Sequence, residues 1–367
     1  MEFTCETSAL ADAARNAGTI APTKGEAFDK AQGIVIQLED DEDVIQIKTS
    51  DLSSTYLQRI KVDNLDRSRD TVWRLPSALL ANFLIQLPLN GAEVKFSQDG
   101  HRVKIQSGRI KASFDSLVMD GFPEFKPFDT ADMSQVDNLA RCMKQVAWAV
   151  GDTSPLNGIH LDGTSVVGCS QERMAEVPCT VPVDEAITVP LSALSAAIKN
   201  TSEVHMRASD DRLYLRTDED TLMTSSILVD KYPNLDVLRA MAAKCDAHAE
   251  VSISAVSDAV SRMLVLCKTD RYPRIVIAMS PGAMSISMDV PDLGQVEETL
   301  DIIGAEKEQT FHFTPRNLMS ALGSCHASGD KAWIGYNSDN DLAPIHFTDD
   351  QEDGKGFSCV CMPRRPE

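Results

Sequence analysis

The chain has 367 residues and a formal net charge of −20, with 43% apolar but only 5% aromatic side chains. That length accommodates two or three domains with aliphatic cores, and no apolar stretch approaches the ~20 residues of a membrane span. So acidic a total argues against nucleic acid as a partner unless positive charge is concentrated locally.

The opening MEFTCETSAL has neither the basic nor the apolar region of a signal peptide. The nine cysteines are odd in number and form no C-x-x-C pair, which reads as free thiols in a reducing cytoplasm. Cys359 and Cys361 stand two apart in a strand-like run and so share one face, as small core side chains.

One short pattern recurs along the chain: an alternating strand, a polar or proline junction, then a small-residue apolar helix. It occupies residues 3–18, 72–87, 133–150, 187–200, 251–266 and 311–323. The helices are expected from apolar recurrence at three- and four-residue spacing, as in Leu79, Phe83 and Leu87. Pro76, Pro190 and Pro315 suit a strand-to-helix junction, where a missing N–H costs little.

Alternating strands follow each helix. They are expected at 33–38 and 44–49, at 92–97, 102–106 and 110–114, and at 158–161 and 165–169. The later units place them at 203–207, 212–217 and 222–229, at 274–279 and 283–289, and at 332–336, 342–348 and 356–362. The Pro-bearing segments near 122–130 and 232–246 read as linkers. Six such units pair into three similar α+β domains, 1–129, 130–246 and 247–367, each with two helices against antiparallel sheet.

The helix segments carry Arg15, Arg141, Lys144, Lys199, Arg262 and Arg316 against only Asp12 and Asp258, with Lys268 two residues after the fifth, while the acid is densest near 39–43 and 349–353. Helices gathered on one surface would make it locally positive inside an acidic object. Such a surface attracts phosphate without reading base sequence. Lys24, in the loop after the first helix, is a further candidate DNA contact.

Several short motifs resemble the beta sliding clamp of bacterial DNA polymerase III. They are the opening MEFT, Ser107-Gly108-Arg109 before residues 112–117, and Leu156-Asn157-Gly158-Ile159. Further along come Lys231-Tyr232-Pro233-Asn234, Glu297-Glu298 before Leu300-Asp301, and Cys361-Met362-Pro363-Arg364-Arg365. Their order and spacing are more specific than any one of them.

The resemblance implies three tandem clamp domains in a head-to-tail homodimeric ring. Helices line the hole, and double-stranded DNA threads it without sequence-specific contact. It implies a peptide pocket that serves the replicative polymerase, the clamp loader and other clamp-binding proteins. Carried over by position, that pocket is Leu156, Gln171, Glu172, Arg173, Met174, Pro233, Leu238, Leu342, Pro344, Val360, Met362, Pro363 and Arg364. The subunit interface is Arg109, Lys111, Ala112 and Phe114 on one side, with Val265, Leu266, Glu297 and Glu298 on the other.

The sequence departs from the family pattern in three places. Ser154 and Pro155 replace aromatics before Leu156, Cys169-Ser170-Gln171-Glu172-Arg173 keeps only the arginine of its motif, and the last four residues are Arg364-Arg365-Pro366-Glu367. These mark a divergent member.

No phosphate-loop, nucleophile-elbow, zinc-protease or dinucleotide motif occurs, and the seven histidines show no ligand-like clustering. The expectation is a non-enzymatic, cytoplasmic protein without metal, cofactor or catalytic residue. The alternative is a clamp-fold decoy or accessory protein that binds replication peptides without encircling DNA.

Overall fold

A computed structural model describes the chain except residues 24–29, 40–41, 67–70, 126–127, 199–200, 210, 218–219, 267–272, 326–328, 351–355 and 366–367. All six expected strand–helix units are present. They are Glu2–Glu6 with Thr7–Ile20, Val72–Leu75 with Ser77–Ile85, and Ser134–Val136 with Leu139–Val146. The others are Ile187–Pro190 with Leu191–Ile198, Ala247–Ser252 with Ile253–Leu264, and Gln309–Phe313 with Pro315–Gly323.

The junctions are built differently. Pro315 stands at the first helical position, where the proline ring already has helical φ and no N–H is wasted. Ser252 instead caps its helix, its hydroxyl accepting from Ala255 N at 3.1 Å.

The described residues form two compact units. The first is Met1–Ala140, Pro182–Asp184 and Val189–Leu228; the second is Arg141–Val181, Glu185–Thr188 and Val229–Glu367. The boundary cuts through the middle pair of repeats because sheets continue between repeats. In the first unit Ser54–Lys61 pairs antiparallel with Thr221–Ser226, and in the second Arg173–Pro178 pairs with Ser358–Cys361.

The first unit contains an eight-stranded sheet and a five-stranded sheet. The five-stranded sheet runs Asp63–Asp66, Glu2–Glu6, Glu93–Asp99, Arg102–Ser107, Ile110–Asp115, so Ile110–Asp115 is an edge. Helix Thr7–Ile20 packs on Ser77–Ile85 and Leu191–Ile198. Its contact face is alanine: Ala11, Ala13, Ala14 and Ala17 are all buried, so the helix backbones approach closely. Phe3 stacks on Phe96, its neighbour in the same sheet, and on Trp73 of the eight-stranded sheet, at 5.2 and 5.9 Å.

Helix Ser77–Ile85 buries Leu80, Ala81 and Leu84. Leu79, expected on the buried face, is 59% exposed, and Phe83 is half-buried, edge-on to Phe114 at 5.6 Å. The helix therefore has a second apolar stripe beside the sheet edge.

The second unit contains a nine-stranded sheet. Its order is Ile187–Pro190, Gly158–Leu161, Ser165–Cys169, Arg173–Pro178, Ser358–Cys361, Ile345–Thr348, Lys331–Tyr336, Ala247–Ser252, Ile303–Gly304. A four-stranded sheet runs Gly294–Asp301, Ala283–Val290, Ile275–Ser280, Gln309–Phe313, which leaves Gly294–Asp301 as an edge. Helix Ile253–Leu264 packs on Pro315–Gly323. Gly168 lets strand Ser165–Cys169 meet the Leu139–Val146 helix, for a Cβ there would lie 2.3 Å from the Val146 carbonyl oxygen.

One expectation is corrected. Residues 232–246 are not an irregular linker, because Leu235–Ala242 is a helix. Asn234 caps it, its side chain accepting from Asp236 N at 3.0 Å, and Asp236 supplies negative charge to the first turn.

Candidate functional site

The ladder between Arg173–Pro178 and Ser358–Cys361 sets Met174 opposite Val360 and Arg173 opposite Cys361. Side chains alternate along a strand, so the two pairs face opposite sides of the sheet. On the first side Met174 and Val360 join Val167, Cys169, Tyr232 and Leu235 in a buried apolar cluster, with Leu156, Leu238 and Ala242 partly buried against it. Leu235, Leu238 and Ala242 recur at three- and four-residue spacing, so one face of the Leu235–Ala242 helix covers the sheet.

Past this cluster the surface opens. Met362 continues the ladder, its N–H donating to the Glu172 carbonyl at 2.8 Å, and its side chain is 41% exposed. It lines a cavity of about 290 Å³ with Met241, Lys244, Cys245, Asn337, Asn340, Leu342, Ala343 and Pro344. Asn337 and Asn340 use their side-chain oxygens to cap the N–H groups of Asp339 and Leu342, at 3.0 Å each. Burial pushes the Cys245 thiol up to about 11, so it is a neutral wall group at physiological pH.

Of the expected pocket residues, Leu156, Met174, Leu238 and Val360 meet in the apolar cluster, and Leu342, Pro344 and Met362 line the cavity. Pro233 is exposed just before the helix, and Gln171 and Glu172 are exposed in the turn closed by Ser170 N to Arg173 O at 2.8 Å. Pro363 and Arg364 are half-buried, with Arg364 N donating to the His312 carbonyl at 2.8 Å.

Arg173 does not point to this side. Its guanidinium donates to Asn317 Oδ1 at 2.9 Å and lies over the Trp148 ring at 5.8 Å. Trp148 Nε1 donates to the Gln145 carbonyl and Ser324 Oγ, at 2.8 and 3.0 Å. Arg173 thus ties the rear of the ladder to helix Pro315–Gly323.

A polar clamp holds the covering helix. Arg239 donates to Glu176, to Asp162 at 3.2 Å and to Asp236 at 3.2 Å. The His160 ring lies flat on Tyr232, centroids 4.3 Å apart and planes 6° apart, with Nδ1 3.0 Å from Thr188 Oγ1. Burial pushes the His160 imidazole below its ordinary value, partly opposed by Asp162, and pushes the Tyr232 hydroxyl up. Tyr232, Leu235, Met241, Lys244, Cys245, Asn337, Asn340 and Ala343 were not among the expected site residues. The signal for the helical ones was the Asn234 cap followed by apolar Leu235, Leu238 and Ala242.

The expected DNA-facing cations fall into three groups. Arg141, Lys144 and Arg316 are exposed on helices of the second unit. Two are paired within their units, Arg15 to Asp12 at 2.8 Å and Arg262 to Glu298 at 2.5 Å. Lys24, Lys199 and Lys268 lie outside the described residues.

The expected interface positions lie on or beside the two sheet edges. Ala112 and Phe114 are half-buried on edge Ile110–Asp115, with Arg109 and Lys111 exposed. Val265 is 63% exposed and Leu266 half-buried after helix Ile253–Leu264, while Glu297 and Glu298 sit on edge Gly294–Asp301. Glu298 is opposite buried Ile286 and so faces the helix side, where Arg262 takes it. Glu297 accepts from Ser285 Oγ at 2.8 Å.

Among the described residues no group of three or more His, Cys, Asp or Glu side chains could hold a metal ion, and no helix is long and apolar enough to cross a membrane.

Repeated strand–helix units, antiparallel sheets continuing from repeat to repeat and an open apolar pocket define the class: this is the sliding-clamp fold. The DNA polymerase III beta subunit of Thermotoga maritima matches with a TM-score of 0.78 over 100% of both chains at 16% identity. The sliding clamp of Bartonella birtlesii, solved bound to griselimycin, matches at 0.75 over 100% of both chains at 19% identity. In sequence, the beta sliding clamp of Salmonella typhimurium is 20% identical over 252 residues, 64% of this chain and 67% of that protein. The sequence likeness thus spans about two thirds of the curated relative, and no family model matches. The full-length fold is that of solved sliding clamps, and the curated relatives similar to this chain in sequence are beta sliding clamps.

Proposed function

We propose that this chain is a sliding clamp that encircles duplex DNA and tethers the replicative polymerase to it. The observation that carries this reading is the fold match over the whole length of the DNA polymerase III beta subunit. In this reading the three modules 1–129, 130–246 and 247–367 build half a ring, and a second copy completes it head to tail.

The two sheet edges support that assembly. Ile110–Asp115 and Gly294–Asp301 each end a sheet, and an exposed edge is a template for strand pairing. Pairing one edge with the other is a heterologous contact that closes into a ring after two subunits. Leu79 at 59%, Ile110 at 40% and Val265 at 63% exposure provide apolar surface for it. Arg109 and Lys111 would then meet Glu297, while Glu298 stays with Arg262.

Arg141, Lys144 and Arg316 are the cations best placed for phosphate, and Arg15, Lys24, Lys199 and Lys268 stay candidates from the sequence alone. Such contacts carry no sequence information. They need not be strong, because a closed ring holds DNA by topology. The clamp itself performs no chemical step; it raises the polymerase's effective concentration at the primer end. The pocket lined by Met241, Leu342, Pro344 and Met362, beside the apolar cluster of Met174, Leu238 and Val360, would dock peptides of the polymerase, the clamp loader and other replication proteins in the cytoplasm.

The test is loading. With its cognate loader the protein should remain on nicked circular DNA through gel filtration and be released when that DNA is linearised. Failure to stay on the circle, with a control clamp retained, would remove tethering. In parallel, Phe114→Asp should give monomers in sedimentation velocity, since the edge contact would bury an unpaired charge. A surviving dimer would remove the assembly.

A further inference from the structure

Two thiols of the second unit meet across separate elements. Cys142 is buried on helix Leu139–Val146, between exposed Arg141 and Lys144. Cys179 follows strand Arg173–Pro178 and is buried between exposed Pro178 and Thr180. The chain there is fixed, because Cys179 N donates to the Thr164 carbonyl at 2.9 Å. Cys142 Sγ lies 4.0 Å from the Pro178 carbonyl oxygen and is hydrogen-bonded to the Cys179 thiol. The two residues keep 4% and 8% exposure, so the pair lies just under the surface.

Elsewhere burial disfavours the thiolate. It pushes the Cys5 thiol up to about 12 and those of Cys169 and Cys245 up to about 11, and it raises Cys325 and Cys359 as well. Cys142 moves the other way. The bond to Cys179 lowers its thiol, burial opposes this, and Arg141 adds to the lowering. The thiolate is the form that attacks an oxidant, and a neighbouring thiol resolves the product.

Contact between sulfurs is not sufficient, as a second pair shows. Cys359 and Cys361 have Sγ atoms 3.4 Å apart, but both are 0% exposed and they stand two apart on strand Ser358–Cys361. Two residues of extended chain span roughly 6.4–6.8 Å. A disulfide usually needs Cα atoms within about 6.8 Å. That pair is shut off from solvent and sits at the limit of its backbone. Cys142 and Cys179 belong to different elements and carry no such spacing.

We propose that Cys142 and Cys179 are a redox modification site, converted by hydrogen peroxide into a reversible disulfide. The Cys142 sulfur attacks one peroxide oxygen. The O–O bond breaks, the other oxygen leaves as water with the Cys142 proton, and Cys142 becomes a sulfenic acid. The Cys179 sulfur then attacks the sulfenic sulfur. The S–S bond forms, the S–O bond breaks, and the hydroxyl leaves as water with the Cys179 proton. Both sulfurs are oxidised and the peroxide is reduced. The new bond ties the helix that carries Arg141 and Lys144 to the end of the strand that carries Met174.

The experiment treats the reduced full chain with graded hydrogen peroxide, blocks the remaining thiols with N-ethylmaleimide, and maps unreduced peptides by mass spectrometry. The peptides containing Cys142 and Cys179 should appear joined, two hydrogens lighter than their sum, at a dose that leaves Cys359 and Cys361 as thiols. Dithiothreitol should separate them. In Cys179→Ser the sulfenic acid should persist on Cys142 and be trapped by dimedone, whereas in Cys142→Ser Cys179 should remain a thiol at that dose. Wild type in which other cysteines oxidise while Cys142 and Cys179 stay reduced would overturn the proposal. So would a wild-type Cys142 that dimedone traps with no joined peptide formed.

Discussion

Two strand pairs do the same architectural job in this molecule with opposite chemistry. In the first unit Thr221–Ser226 meets Ser54–Lys61, and in the second Arg173–Pro178 meets Ser358–Cys361. Each joins distant parts of the chain into one sheet. The first is a polar seam: Ser54 and Ser225 share a buried hydroxyl contact at 3.0 Å, and Arg212 Nε donates to Thr224 at 2.9 Å. The second is apolar on one side, and its apolar surface runs out into an open cavity. Sheet continuation alone does not make a binding site. The difference is that the second seam is roofed by a short helix that stops before the roof is complete.

The sharpest way to break the comparison is to put a charge into each seam. Val360→Asp places a carboxylate at a position that is 4% exposed among Met174, Tyr232 and Leu235, with no cation in the cluster. It should cost about 3 kcal/mol or more, read as a lower denaturation midpoint. Thr224→Asp should stay within about 1 kcal/mol of wild type, because Arg212 already points a guanidinium N–H at that position. Equal losses at the two sites would show that the seams do not differ as described.

Arg239→Ala tests the roof. It strips Glu176 and Asp162, whose side chains are only 15% and 19% exposed, of their shared guanidinium. The loss should be about 1–3 kcal/mol. It should concentrate as faster amide exchange in Leu235–Ala242, with exchange in the first unit's seam unchanged. Protection lost evenly over the chain would mean that the clamp does not act on this helix.

Arg173→Ala separates the two faces of the second seam. Its guanidinium serves Asn317 and Trp148, on the side away from the cavity. The substitution should therefore lower stability by about 1–2 kcal/mol while changing peptide affinity less than Met362→Ala does. The reverse order would return Arg173 to the pocket.

These contrasts mark what the sequence could carry. The six strand–helix units were legible because small apolar residues at helical spacing follow a proline or polar junction each time. The Leu235–Ala242 helix was missed although its cap, Asn234, and first-turn acid, Asp236, are local signals; the preceding Tyr-Pro pair reads equally well as a linker. Which face Arg173 occupies was not legible. Facing has a period of two, and the tight turn at Ser170–Arg173 sets the parity, so one residue of uncertainty inverts the assignment. Nor could the partner of Glu298 be read locally, since Arg262 reaches it from another element. The joining of strands more than a hundred residues apart is a non-local property that no window contains.

The smallest expected effect concerns pH and again separates the seams. His160 stacks on Tyr232 beneath the roof helix, faced by Asp162, Glu176 and Arg239, and burial holds its imidazole below the ordinary 6.5. The unfolded chain takes up the proton near 6.5 and the folded chain only at lower pH, so unfolding is accompanied by proton uptake in between. The stability this site contributes is intact above 6.5 and declines as pH falls below it toward the folded value. The measurement is a difference, which cancels contributions common to both proteins. Denaturant midpoints of wild type and His160→Gln should converge as pH is lowered from about 7.5 to 5. The glutamine can still meet Thr188 but carries no titrating proton. A constant gap over that range would mean that His160 is not held neutral by its burial, and that the stack on Tyr232 is indifferent to charge.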